Sequence, residues 1–136
     1  MRYMLDTNIC SYVLKNRPPE VKWHFDQVGA DALVVSTVVL AELYYGAARH
    51  PAGKVIRREI DDFSARLAVL PWDEAAADHY GDIRSAMERN GTPIGAMDMM
   101  IAAHARSQSC ALVSNDVGHF ARVPDLLTVN WAQGRP

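Results

Sequence analysis

No stretch of this 136-residue sequence approaches the roughly 18 consecutive apolar residues that a membrane-spanning helix needs. The N-terminus also lacks the basic start and long apolar run of a signal peptide. A cytoplasmic location is the expectation. Cysteine is scarce: Cys10 and Cys110 share neither CxxC nor zinc-ligand spacing, so they read as two small buried thiols. There is no GxSxG elbow, which leaves Ser36 and Ser114 as cap and turn residues. No GxxxxGK[ST] or GxGxxG phosphate loop occurs. The five histidines do not fall at metal-ligand spacings. A global cationic surplus is missing too, because the net charge is −2. That excludes a uniformly basic nucleic-acid binder but not a segregated patch, and Lys15, Arg17, Lys22, Arg49, Arg57 and Arg58 all lie in the first half. Repeats, low-complexity segments and linkers are absent as well.

What is present suits one globular domain over residues 1–136: 49% hydrophobic and 22% charged residues, in a chain long enough to bury a core. Tyr3-Met4-Leu5 is a short apolar run that stops at one carboxylate, Asp6, followed by Thr7 and Asn8. Ile9 to Leu14 has helical spacing. Pro19 suits the first turn of a second helix, running from Glu20 to Val28. Leu33-Val34-Val35 reads as a strand, and Ser36 as the N-cap of a helix with Val39, Leu40, Leu43, Tyr44 and Ala47 on its apolar stripe. A further helix is expected from Gly53 to about Ala68, with Leu67 to Leu70 either closing it or forming a third strand. Asp73 is placed to cap a helix reaching Arg89, with Ala76, Ala77, Tyr80, Ile83 and Met87 inward. Met97 to Ala103 is apolar almost all round, as a buried helix would be, and Asp98 is its only charge. Ala111-Leu112-Val113 is another short buried run. It stops at Ser114-Asn115-Asp116 and so repeats the arrangement at the N-terminus. Gly118 to Val123 reads as a turn or short helix, and Leu126 to Val129 as a last strand before Trp131 and a polar tail. Strands alternating with helices indicate an α/β fold with a mostly parallel sheet covered on both faces.

Four acids fit poorly with packing alone. Asp6 and Asp116 end strands, Asp98 lies in the first turn of a buried helix, and Glu42 has the apolar neighbours Val38 and Tyr45. In a parallel sheet, strand C-termini and following helix N-termini share one edge, where such folds bind ligands. Asp6, Asp98 and Asp116 are therefore expected to meet there, with Glu42 reaching them from one turn along its helix. Grouped carboxylates repel unless a cation compensates. Oxygen ligands without histidine or cysteine suit Mg²⁺, with Mn²⁺ as a substitute. The matching chemistry is metal-assisted phosphodiester hydrolysis. Each acid also has a structural reading: Asp6 and Asp98 as helix caps, Asp116 as a turn former. His119, three residues past Asp116, is a candidate contact to substrate or to metal-bound water.

The runs Met4-Leu5-Asp6-Thr7-Asn8, Ser36 to Gly46, Ile94 to Ala105 and Leu112 to Phe120, with the closing Leu127 to Trp131, resemble PIN-domain proteins, and more closely the VapC toxins of bacterial type II toxin–antitoxin pairs. The resemblance spans essentially the whole chain in order. It implies a PIN-like fold with four to five short strands, helices on both faces, and a Mg²⁺-dependent ribonuclease. It also implies catalytic and metal-binding acids at Asp6, Glu42, Asp98 and Asp116, Asp6 and Asp98 being tied most firmly to metal. Thr7 would form the turn beside the site, and Asn8 and Ser114 match polar residues that support it. Many members carry an acid where this chain has His119, which argues against a fifth carboxylate and weakens the case for a second metal. The resemblance further implies a homodimer, a higher hetero-oligomer with a VapB-type antitoxin whose C-terminal segment covers the site, and RNA as substrate. Members similar to this chain are associated with cleavage of initiator tRNA in the anticodon stem-loop. Two competing readings are a PIN-like RNA-binding or scaffold module with a poor metal site, and a phosphatase using Asp6 as nucleophile. Retention of all four acids argues against the first. The second wants an Asp-x-Asp pattern, and position 8 is Asn.

Overall fold

The computed structural model describes residues 1–133, so the last three residues of the polar tail lie outside the described residues. Five strands form one parallel sheet: β1 (Tyr3–Leu5), β2 (Leu33–Ser36), β3 (Ala68–Leu70), β4 (Ala111–Val113) and β5 (Thr128–Val129), in the order β3-β2-β1-β4-β5. Seven α-helices connect them: α1 (Thr7–Lys15), α2 (Pro19–Val28), α3 (Thr37–Ala48), α4 (Gly53–Ala65), α5 (Glu74–Arg89), α6 (Ala96–Ser107) and α7 (Val117–Phe120). All four positions of β2 and all three of β4 are buried. Side chains alternate between sheet faces, so helices must cover both. This explains why Leu33-Val34-Val35 and Ala111-Leu112-Val113 are continuous apolar runs with no polar alternation.

The first strand is central. Tyr3 pairs with Leu33 on one side and with Ala111 on the other, and Leu5 pairs with Val113. Chain order therefore reverses across β1, with β2 on one flank and β4 on the other. That topological switch opens a crevice beyond the strands' carboxyl ends. The register brings Asp6 and Ser114, each one residue past the pairing, to the same edge. The Asp6 amide extends the ladder by donating to the Val113 carbonyl at 3.0 Å.

Several boundaries differ from the sequence expectation. The fourth helix ends at Ala65, and the ambiguous segment after it is a strand, β3. Its β-branched Val69 pairs with Val35. The last strand holds only Thr128 and Val129, because Leu127 is exposed and meets β4 through its carbonyl alone. Ala77 is exposed: the face of α5 toward the core is set by Ala76, Ile83 and Met87, and Ala77 lies about 100° round the helix from Ala76. In α6 the buried residues are Met99 and Ile101 to Ala105, whereas Met97 in its first turn is exposed. Cys10 and Cys110 are buried free thiols, and burial pushes both thiol pKa values up. Their chemistry is that of small apolar side chains.

Burial also takes in a histidine of α6. His104 is fully buried, and its Nδ1 lies 2.7 Å from the Ser36 hydroxyl oxygen. Ser36 caps α3 by accepting from the Val38 amide at 3.1 Å. One serine thus starts α3 and ties it to α6.

Candidate active site

Asp6 lies at the end of β1 and is 6% exposed. Its Oδ1 accepts the Ile9 amide at 2.9 Å, which makes it the N-cap of α1. Capping alone would hold the carboxyl low, yet its pKa is pushed up to about 6. Burial is the largest cause. The Ile9 amide and the Ser114 side chain pull it down, and the charges of Asp98 and Glu42 push it further up. Asp6 is thus a buried acid facing two others, as carboxylate grouping implied.

The other acids arrive from separate elements. Asp98 occupies the third position of α6, whose N-cap Gly95 offers no side-chain bond. The carboxylate does not fold back as a cap: its Oδ2 meets His119 Nε2 at 3.0 Å. Glu42 sits in the second turn of α3, and its Oε1 accepts the Thr7 hydroxyl at 2.6 Å. Thr7 begins α1, so this bond joins α1 to α3 beside Asp6. Asp116 is the N-cap of α7: its Oδ1 accepts the His119 amide at 3.2 Å, while its own amide donates to the Ser114 hydroxyl at 2.9 Å. Asp116 is exposed and is not among the charges that raise Asp6. The structure therefore groups Asp6, Asp98 and Glu42 electrostatically and sets Asp116 at the rim.

The supporting residues divide the work differently from the sequence reading. Ser114 is fully buried, acting on Asp6 and bonding the Asp116 amide. Thr7 holds Glu42, where its adjacency suggested Asp6. Asn8 is exposed in the first turn of α1 and makes no side-chain hydrogen bond among the described residues. His119 touches two of the acids, Asp98 through its ring and Asp116 through its amide. The partnerships of Thr7 with Glu42 and of His119 with Asp98 span 35 and 21 residues, so no local pattern announced them.

Among the described residues, no three Asp, Glu, His or Cys side chains close around one point as a ready metal cage. Glu42 and Asp98 are turned to Thr7 and His119. The donor chemistry nonetheless fits a hard divalent cation. The converging side chains offer carboxylate oxygens, and the electrostatic burden on buried Asp6 is one that a dication relieves. Asp6, Asp98 and Glu42 are the side chains that could hold it.

Residues 3–126 match the PIN domain family model. A Haemophilus influenzae protein named ribonuclease VapC2 is 44% identical over 131 residues, covering 96% of this chain and 98% of that protein. A Shigella flexneri protein named tRNA(fMet)-specific endonuclease VapC is 40% identical over 132 residues, covering 97% of this chain and 99% of that one. The crystal structure of VapBC2 from Rickettsia felis, bound to a DNA fragment from its promoter, contains a chain that superimposes with a TM-score of 0.90 at 32% identity, covering 96% of this chain and 99% of its own. Similarity at this level over nearly the full length, together with the matched domain, means that the chain belongs to the PIN-domain family, among its VapC members.

Proposed function

We propose that this chain is the toxin of a VapB–VapC type pair and a Mg²⁺-dependent endoribonuclease that cuts tRNA, with the initiator tRNA anticodon stem-loop as the leading substrate. The observation that carries the reading is Asp6 itself: a buried carboxyl raised to about 6, first by burial and then further by the charges of Asp98 and Glu42 beside it. Family membership supplies the reaction class, and the names of the Haemophilus and Shigella relatives support ribonuclease action and the tRNA substrate.

In this reading Asp6, Asp98 and Glu42 hold the cation and Asp116 completes the set from the rim. When bound, the metal supplies charge neutralisation at the phosphoryl group and acidifies water for attack on phosphorus. The chain's own residues set the geometry. The Ile9 amide and Ser114 fix Asp6, the Thr7 hydroxyl aims Glu42, and His119 steers Asp98. Burial of Asp6 keeps bulk water off the innermost oxygen, and exposed Asp116 faces the side from which RNA approaches. A VapB-type antitoxin that covers this edge would keep the nuclease silent, and the solved VapBC complexes of relatives support such a partner.

The test is incubation of purified protein with initiator tRNA, in Mg²⁺ or in EDTA, alongside Asp98→Asn. Cleavage confined to the Mg²⁺ sample and lost in the variant is expected. Cutting in EDTA, or full activity of Asp98→Asn, would sink the mechanism. A phosphoenzyme formed at Asp6 would move the chain to the phosphatase class instead.

A further inference from the structure

Three grouped carboxylates with a fourth at the rim repel RNA, and the whole chain carries −2, so attraction for a polyanion has to come from a segregated surface. The sequence holds one such segment. From Leu43 to Arg58 there is no Asp or Glu, yet Arg49, Lys54, Arg57 and Arg58, four of the 14 Lys and Arg residues, fall there together with His50. The structure folds this segment into the corner between α3 and α4. Backbones approach so closely at that corner that a Cβ on Gly53 would collide with the Ala47 carbonyl oxygen. Only glycine fits at that approach.

Beside it lies an open concavity of about 740 Å³, lined by Tyr44, His50, Lys54, Arg57 and Arg58, with no carboxylate in its wall. The Arg57 guanidinium sits 3.6 Å from the centre of the Tyr44 ring and is braced by Asp61 at 3.2 Å. Arg49 lies over the ring of Tyr45, a residue 65% exposed, at 5.5 Å from the ring centre. Arg49, Lys54 and Arg58 form no ion pair among the described residues. Cations without carboxylate partners, interleaved with an exposed aromatic ring, are what a nucleic-acid strand needs, for its phosphates and for a base to stack on.

We propose that the α3–α4 corner is a second RNA-contact surface, which grips phosphates of a segment flanking the cut while the carboxylates act on the scissile bond. Glu42 lies in α3 and Arg49 caps its C-terminus, seven residues and a helical rise of about 10 Å further along, so a folded RNA can span both. The proposal rests on the ribonuclease reading for its ligand.

The experiment measures binding of an initiator tRNA transcript to the full chain carrying Asp98→Asn, with and without Arg49→Ala, Lys54→Ala and Arg58→Ala, across a salt series. The triple variant is expected to bind about 10–100-fold more weakly, with a salt dependence shallower by roughly two to three counterions. The charge-retaining set Arg49→Lys, Lys54→Arg and Arg58→Lys should hold affinity within about threefold, since point charges suffice for phosphate. Circular dichroism confirms folding of each variant. Unchanged affinity and salt slope in the triple variant would overturn the proposal, as would no tRNA binding by the parent. Loss of affinity for a protein partner with tRNA binding intact would overturn it too, making the corner a protein interface. Cleavage by the unsubstituted chain is read in parallel. If it cuts but the triple variant still binds normally, only the surface fails. If it does not cut while the triple variant loses tRNA affinity, the ribonuclease reading fails and the surface stands.

Discussion

Asp6 carries two opposing assignments, helix cap and buried member of a carboxylate group, and its stability signature separates them. Its carboxyl lies near 6 in the fold against an ordinary 3.8. The folded state therefore binds the proton more tightly than the unfolded chain, and metal-free stability falls as pH rises from about 4 through 6. The gap corresponds to roughly 3 kcal/mol at neutral pH. Asp6→Asn keeps an oxygen for the Ile9 amide but removes the charge. In EDTA it should be more stable than the parent by up to about 3 kcal/mol at pH 7.5, and equal to it at pH 4. Urea melts at the two pH values check this, and destabilisation at pH 7.5 would favour the capping role alone. Cleavage by the same variant should fall by more than about 100-fold. His119 gives a second prediction. It fixes Asp98 at 3.0 Å, so His119→Ala should weaken Mg²⁺ or Mn²⁺ binding about 10- to 100-fold by calorimetry, whereas His119→Gln, which retains a donor, should recover much of it. Equal affinity in parent and His119→Ala would reduce the imidazole to a bystander.

At the scale of elements, short pieces are held by single side chains that serve two neighbours. Ser36 ends β2, caps α3 and partners the buried His104 ring of α6. Burial lowers the His104 pKa, so the ring stays neutral and bonds without a charge to neutralise. Ser36→Ala removes a cap and strands a buried ring nitrogen, and its expected cost is about 2–4 kcal/mol by urea denaturation. A loss below about 1 kcal/mol would mean that the ring finds another partner. Elements with strong internal patterns were readable in advance: α5 from its cap Asp73 and its apolar face, β4 from its continuous apolar run. The segment from Leu67 to Leu70 was not, since a short apolar run suits a helix end or a strand equally. Pairing of Val69 with Val35 decided it.

For the whole molecule, the order β3-β2-β1-β4-β5 is what turns scattered acids into a site. Asp6 follows the central strand, Glu42 and Asp98 come from helices α3 and α6, and Asp116 follows β4. A cation joining the three inner acids should tighten the entire fold. Mg²⁺ at about a hundredfold excess over its dissociation constant should raise the melting temperature by roughly 5–10 °C. Asp6→Asn should show little of that shift, and an equal shift in the variant would place the metal elsewhere. In cells, expression without an antitoxin should arrest growth, and Asp98→Asn should relieve the arrest. Normal growth with soluble protein present would count against a toxin. No helix among the described residues is long and apolar enough to cross a membrane.

The sequence by itself determined the α/β class, the short buried strands and the family, because hydrophobic periodicity and motif spacing are local properties of the chain. It also singled out the four acids, since a carboxylate at the end of an apolar run, or among apolar neighbours, is conspicuous without any structure. Only the tertiary structure decided how those acids divide. Burial and like charge gather at Asp6 from Asp98 and Glu42, while Asp116 stays exposed at the rim. It likewise assigned Thr7 to Glu42 and His119 to Asp98. These choices depend on desolvation and on contacts across the sheet edge, which exist only once β1 lies between β2 and β4.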